Sequence, residues 1–256
     1  MSFSADWLAA RRDADLRARN ANLAQQLAGH LDGQSEIQIL DLGCGTGANL
    51  AATGAILGSN QHWTMADNDP DLLGRIAGTV RATFETVKTD LADSLDGLFQ
   101  QRFDLVTASA LFDLAGAAWV DALVAKVTAS SSAFYTVLTY DGEERWFPPH
   151  ADDDAVLTAF HADQHRDKGL GPALGPNATD YLAQQFEAAG YAVRIGDSAW
   201  SLEAPRDEKL IGLLATGIRD AVKPALGETA DNWFDARGSS TSVRIGHKDL
   251  LALPAP

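Results

Sequence analysis

Apolar positions near the start of the chain recur at helical spacing. Trp7, Leu8, Leu16, Leu23, Leu27 and Leu31 fall on or near one face of a helix over 4–31, and Arg11, Arg12, Arg17 and Arg19 populate the rest. From residue 36 the pattern changes: apolar, strand-like runs alternate with helical stretches five times up to residue 140. The first run contains Ile39-Leu40-Asp41-Leu42, and the fifth is Ser132 to Tyr140. Such alternation predicts a parallel sheet with right-handed crossovers. A helix is expected from Asn177 to Ala189, closed by Gly190, then a sixth strand over Tyr191–Ile195. A helix from Pro205 to Val222, one more over 227–238 and a last strand from Ser242 towards Leu253 complete the pattern.

Residues 141–178 break this rhythm. They hold Trp146-Phe147-Pro148-Pro149-His150, three aspartates at 152–154, a helical run through Val156, Leu157 and Phe160, and a glycine-rich end from Gly169 to Pro176. An insertion after the fifth strand emerges at the edge of the sheet where open α/β folds bind ligands, so it reads as a substrate lid. The three aspartates suit a helix N-cap. His161 and His165, one turn apart, share a helical face. No third ligand accompanies them, so no metal site is expected. Asp167 and Lys168 are placed to meet a polar substrate group.

The chemistry concentrates at strand ends. After the first run come Gly43, Gly45 and Gly47, separated by single residues and preceded by Asp41. Glycines at this spacing let backbone approach a ligand closely. No Gly-Lys-Ser/Thr follows, which excludes a P-loop. The second strand ends at Asp67-Asn68-Asp69-Pro70, where Asp67 suits a bidentate grip on ribose hydroxyls and Asp69 an N-cap before Pro70. The third run ends in Asp90-Leu91, and the fourth, opening Phe103-Asp104-Leu105-Val106, reaches Ser109 and then Asp113.

The D-x-G-x-G-x-G loop resembles motif I of the class I S-adenosylmethionine-dependent methyltransferases, and the three later landmarks follow in that family's order. The resemblance covers roughly residues 36–140. It implies a Rossmann-like, seven-stranded, mostly parallel sheet with helices on both faces. The last strand would run antiparallel between the fifth and sixth. It further implies S-adenosylmethionine as cofactor, with S-adenosylhomocysteine as product. Asp41, Gly43, Gly45 and Gly47 would then wrap the amino-acid end of the cofactor, Asp67 the ribose, Asn68, Asp90 and Leu91 the adenine, and Ser109 the methionine part. Arg19 or Arg11 would reach the cofactor carboxylate or an acidic substrate, Arg19 being counted with the cofactor site. The chain divides into an N-terminal helical lid (1–34), a cofactor-binding core (36–140), the substrate-lid insertion (141–178) and a C-terminal part (179–256), all within one domain.

Composition narrows the acceptor. The formal net charge of −15 over 256 residues argues against a nucleic-acid substrate. The methylation motifs of adenine, glutamine and cytosine C5 enzymes are missing, Ser109-Ala110-Leu111-Phe112 standing after the fourth strand. A small-molecule acceptor is expected, methylated on O or N rather than C or S. Asp113, Tyr140, Trp146, His165 and Lys168 are candidates to bind it, and His165, His161, Asp113 and Tyr140 are candidate bases. The charged N-terminus lacks an apolar core, no run is long enough to span a bilayer, and Cys44 is the single cysteine. A cytoplasmic monomer or homodimer with no membrane or nucleic-acid partner is expected. Two alternatives are a non-catalytic S-adenosylmethionine-binding protein and a nicotinamide-dependent Rossmann oxidoreductase. Against the latter stand the glycine spacing and the lack of a Tyr-x-x-x-Lys pair.

Overall fold

In the computed structural model, which describes residues 4–58, 60–78 and 82–255, the strands form one eight-stranded sheet. Two helices, α1 (Ala5–Ala18) and α2 (Ala21–His30), precede β1 (Glu36–Leu42). Then follow α3 (Ala48–Gly54), β2 (Asn60–Asp67), α4 (Pro70–Leu73), β3 (Ala82–Lys88), α5 (Leu95–Leu98) and β4 (Leu105–Ser109). A short 3-10 helix, Phe112–Leu114, leads to α6 (Ala117–Ala129), β5 (Ala133–Phe147), α7 (Asp153–Gln164) and α8 (Ala178–Ala188). The chain ends with β6 (Ala192–Asp197), β7 (Trp200–Glu203), α9 (Glu208–Leu226), α10 (Glu228–Arg237) and β8 (Ser242–Leu253).

The main strand order is β3-β2-β1-β4-β5-β8-β6, with β7 also paired to β8. Strands β1 to β5 pair parallel with one another, and β8 lies antiparallel between β5 and β6, as the resemblance implies. Side chains alternate across β1: Ile37 and Ile39 join a core beneath α1, α2 and α9, while Leu40 and Leu42 join a core beneath α6 and α8. Burial on both faces is what a parallel sheet requires of its strands.

Four expectations need correction. The single helix over 4–31 is two helices, because Asn20 caps a new one. Its side chain accepts from the Leu23 N–H at 3.1 Å, and its own N–H donates to buried Asp249 at 2.8 Å. The sheet has eight strands rather than seven, since the four-residue β7 adds an edge to β8. The fifth strand does not stop at Tyr140. It continues to Phe147 along β8 through two register shifts, with Leu138 at φ 59° and Gly142 at φ 92°. Asp141-Gly142 reads as a turn in sequence, but here it is a bulge inside a long strand. Residues 141–147 of the expected lid therefore belong to the sheet. Asp152, at the N-cap of α7, makes no capping bond, and Asp153 instead accepts from the His150 N–H at 2.8 Å and from Trp233 Nε1 at 2.7 Å.

Candidate functional site

Parallel strands that end together leave a crevice at their carboxyl edge, and the loops after them must line it. A cavity of about 230 Å3 opens there. Asp41, Gly43, Cys44, Gly45 and Thr46 line it from the β1 loop, Asp67 and Asn68 from β2, Asp90 and Leu91 from β3. Ser109, Ala110, Leu111 and Leu114 contribute the β4 side. Helix α1 closes one wall with Leu8, Arg11 and Asp15, and the insertion adds Lys168, Gly169 and Leu170.

The glycines act by shape. Gly43, Gly45 and Gly47 all have positive φ, at 63°, 54° and 79°. A Cβ on Gly45 would meet Leu8 of α1 at 3.3 Å, so α1 rests directly on the loop. Gly47 caps α3 and faces Ile76 at 3.0 Å rather than the cavity. It allows the packing that places the loop.

The acids differ in environment. Asp41 is fully buried. Its Oδ1 accepts from Asn49 Nδ2 at 2.9 Å, and its Oδ2 is buried with no hydrogen-bond partner among the described residues. Desolvation pushes its carboxyl up to about 7, against the opposing pull of Asn49 and Arg19. Asp67 is organised differently. Its Oδ2 accepts from the Gly45 N–H at 2.8 Å and its Oδ1 from the Asp69 N–H at 3.0 Å, which fixes the carboxylate plane and leaves a lone pair on each oxygen. Asp69 caps α4 by accepting from the Asp71 and Leu72 N–H groups at 2.9 and 3.3 Å. Asp90 accepts from the Ala92 N–H at 3.0 Å.

Arg19 does not line the cavity. Its Nη1 donates to Asn49 Oδ1 at 2.9 Å and to Thr53 Oγ1 at 3.0 Å, so it braces α3 from behind. Arg11 is the arginine that faces the cavity. Its Nε donates to Asp15 at 2.9 Å, its guanidinium lies 4.9 Å from the Trp200 ring centroid, and its side chain is 10% exposed. Helical periodicity selected both arginines but could not rank them. The bonds of Arg19 to Asn49 and Thr53 rank them.

The acceptor candidates separate likewise. Only Lys168 lines the cavity. Asp113 sits just behind it, between Leu111 and Leu114, which do. One of its carboxylate oxygens, Oδ1, is buried with no partner among the described residues, and burial raises its carboxyl to about 6 although its own N–H, Arg11 and the Tyr140 N–H oppose the shift. Tyr140 and His161 belong to a neighbouring cluster. The Tyr140 hydroxyl donates to Glu144 Oε1 at 3.0 Å and meets His161 Nε2 at 3.1 Å. Burial lifts the Tyr140 hydroxyl above its usual range, raises Glu144 to about 7 and lowers His161. Glu144, unmarked in the sequence because the pattern predicts a strand that ends at Tyr140, is the centre of that cluster. Trp146 is a core residue, its ring edge-on to Trp233 at 5.2 Å. His165 pins the insertion through Nδ1 to the Ala173 carbonyl at 3.1 Å. Asp167 organises the glycine turn, accepting from Gly169 and Gly171 N–H groups at 2.7 and 3.2 Å.

At the lip of β4, Ala110 adopts φ 53°, strained for a residue with a Cβ. Ala110→Val should destabilise the protein by about 1–2 kcal/mol, whereas Ala110→Gly should stay within about 1 kcal/mol of the parent. Urea unfolding of the two variants measures the difference, and equal midpoints would refute the strain.

Residues 39–130, from within β1 to the end of α6 and one residue beyond, match the family model described as a methyltransferase domain. No curated protein matches the chain in sequence. Among solved structures, a cyclopropane-fatty-acyl-phospholipid synthase-like protein from Lactobacillus casei is 20% identical with a TM-score of 0.52, the alignment covering 95% of this chain and 99% of that one. The YcgJ protein of Bacillus subtilis is 16% identical with a TM-score of 0.53, over 93% of this chain and all of the other. A cyclopropane synthase from Mycobacterium tuberculosis is 12% identical with a TM-score of 0.50, over 96% and 97%. At these identities the likeness is one of fold. The segment from β1 to α6 is similar to a methyltransferase domain, and the resemblance to the class I methyltransferases read from the motifs is borne out. The match supports S-adenosylmethionine as the cofactor.

Proposed function

We propose that the protein transfers a methyl group from S-adenosylmethionine to O or N of a small-molecule acceptor, and that the cavity at the sheet edge is where both meet. The observation that carries this reading is that Asp41, Asp67 and Asp90, from the ends of three successive strands, face one cavity around the glycine loop. Their chemistry fits the group. The unpartnered Oδ2 of Asp41 suits an ammonium, the two ordered oxygens of Asp67 suit vicinal ribose hydroxyls, and Asp90 suits the adenine amino group, with Leu91 and Asn68 against the ring. Arg11 takes the cofactor carboxylate, replacing Arg19 in that role.

Bound S-adenosylmethionine supplies an activated methyl group on a sulfonium. What remains for the chain is alignment and exclusion of water. Ser109 and Ala110 at the end of β4 and Leu170 from the insertion shape the space where an acceptor approaches. Asp113 is the best placed of the four candidate bases. It lies nearest the cavity, and burial raises its carboxyl to about 6, towards the range in which a carboxylate serves as a general base. Tyr140, Glu144 and His161 hold the bulged part of β5 against α7 behind it. The chain acts as one domain in which α1 and the segment 167–174 cover the two sides of the cavity.

A pH test follows from Asp41. Burial pushes its carboxyl up to about 7 in the free protein, and the ionised form is the one that meets an ammonium. Below that value binding must expel a proton, so S-adenosylhomocysteine affinity should fall about tenfold per pH unit, and should be level above it. Calorimetry between pH 5.5 and 8.5 measures this, with Asp41→Asn expected to flatten the profile. A parent profile already flat would remove Asp41 from the role.

A further inference from the structure

The insertion carries a charge that the cofactor does not explain. Lys168 lines the cavity with its side chain only 10% exposed. Its Nζ donates to Asp163 Oδ2 at 2.7 Å, but that carboxylate also serves Arg166, whose Nη1 lies 2.8 Å from Oδ1. One carboxylate thus answers two cations. Among the described residues the ammonium has one partner for its three N–H groups, so two donors remain for a ligand. A nine-tenths buried lysine is costly unless a counter-charge satisfies it.

The segment that carries Lys168 is fixed in place. The Gly116 N–H donates to the Leu170 carbonyl at 3.0 Å, and the Leu174 N–H donates to the Ala115 carbonyl at 2.8 Å. Lys168 is therefore held beside the β4 lip, where Leu111, Leu114 and Leu170 supply an apolar wall. The cofactor has a single carboxylate, and Arg11 on α1 answers it.

Resting on the cofactor reading above, we infer that Lys168 is an anion-binding residue of the acceptor site. The acceptor class is then a small molecule with an apolar body and a carboxylate or phosphate group. The leucines hold the body, Lys168 binds the anion, and the nucleophilic atom is turned towards the cofactor.

The test is calorimetric. The protein is first loaded with S-adenosylhomocysteine, then titrated with benzoate, benzamide, hexanoate, hexanamide and phenyl phosphate. Failure to load would strike the cofactor reading itself and is read before any acid is added. In the parent, at least one anion should bind about tenfold or more tightly than its neutral partner or than benzamide, as a charge-assisted hydrogen bond provides. Lys168→Met should abolish that preference and Lys168→Arg should restore most of it, with S-adenosylhomocysteine affinity unchanged in both. No preference in the parent, or a preference surviving in Lys168→Met, would overturn the inference. So would a fall in S-adenosylhomocysteine affinity in Lys168→Met, which would assign the lysine to the cofactor carboxylate.

Discussion

Asp67→Ala should weaken S-adenosylhomocysteine binding by about 2–3 kcal/mol, roughly 30- to 150-fold. Two effects combine. The ribose loses charge-assisted hydrogen bonds to the carboxylate. In addition, the Gly45 N–H, 2.8 Å from Asp67 Oδ2, loses its acceptor, and with it the tie between the glycine loop and the end of β2. The Asp69 N–H loses its acceptor as well. Asp67→Asn separates the two effects, because an amide oxygen still accepts one of these bonds while the charge is gone. Its loss should be about half as large in free energy. Calorimetry on the three proteins decides the matter, and parent-like affinity in Asp67→Ala would remove the ribose assignment.

Gly116→Ala should undock the segment 167–174 and spare the cofactor. The position is not special for its φ. It is special because a Cβ there would lie 2.8 Å from the Leu170 carbonyl oxygen and 2.9 Å from that of Pro172, both backbone atoms that cannot rotate away. The segment must move, breaking the bonds that join Gly116 to Leu170 and Ala115 to Leu174. Two buried hydrogen bonds and the packing around Leu170 together amount to about 2–4 kcal/mol. Lys168 and Leu170 then leave the cavity, so acceptor KM should rise more than about tenfold. Asp41, Asp67 and Asp90 stay where β1, β2 and β3 hold them. Hydrogen exchange at Gly116 and Leu174, with S-adenosylhomocysteine affinity beside it, measures both halves. Unchanged protection at the two amides would contradict the docking, and a large loss of cofactor affinity would show that the segment serves the cofactor too.

The two variants mark where sequence reading succeeds and where it stops. Asp67 was legible because its signal is local: an apolar strand ends in an acid, and Pro70 shows where the next helix begins. Asp41, the glycines, Asp90 and Ser109 share that property, and all but Gly47 line the cavity. Gly116 carried no signal, since its role depends on a carbonyl more than fifty positions away along the chain. Glu144 escaped for a related reason. The bulge at Asp141-Gly142 hides the continuation of β5, and with it the bond from Tyr140 to Glu144. Arg19 is taken up by Asn49 and Thr53 of α3 while Arg11 lines the cavity, and contacts between α1 and α3 leave no mark in the local pattern. His161 lies in α7 and His165 at its C-cap, but one is taken up by Tyr140 and the other by the Ala173 carbonyl. Strand ends and glycine loops are written locally, while the acceptor side depends on contacts between distant segments.

The most direct test of the whole account is a calorimetric titration of the protein with S-adenosylhomocysteine, with NAD run alongside. One-site micromolar binding of S-adenosylhomocysteine and no heat from NAD is the predicted result. No binding of S-adenosylhomocysteine, or a preference for NAD, would contradict the assignment of the cavity and the methyl-transfer function built on it.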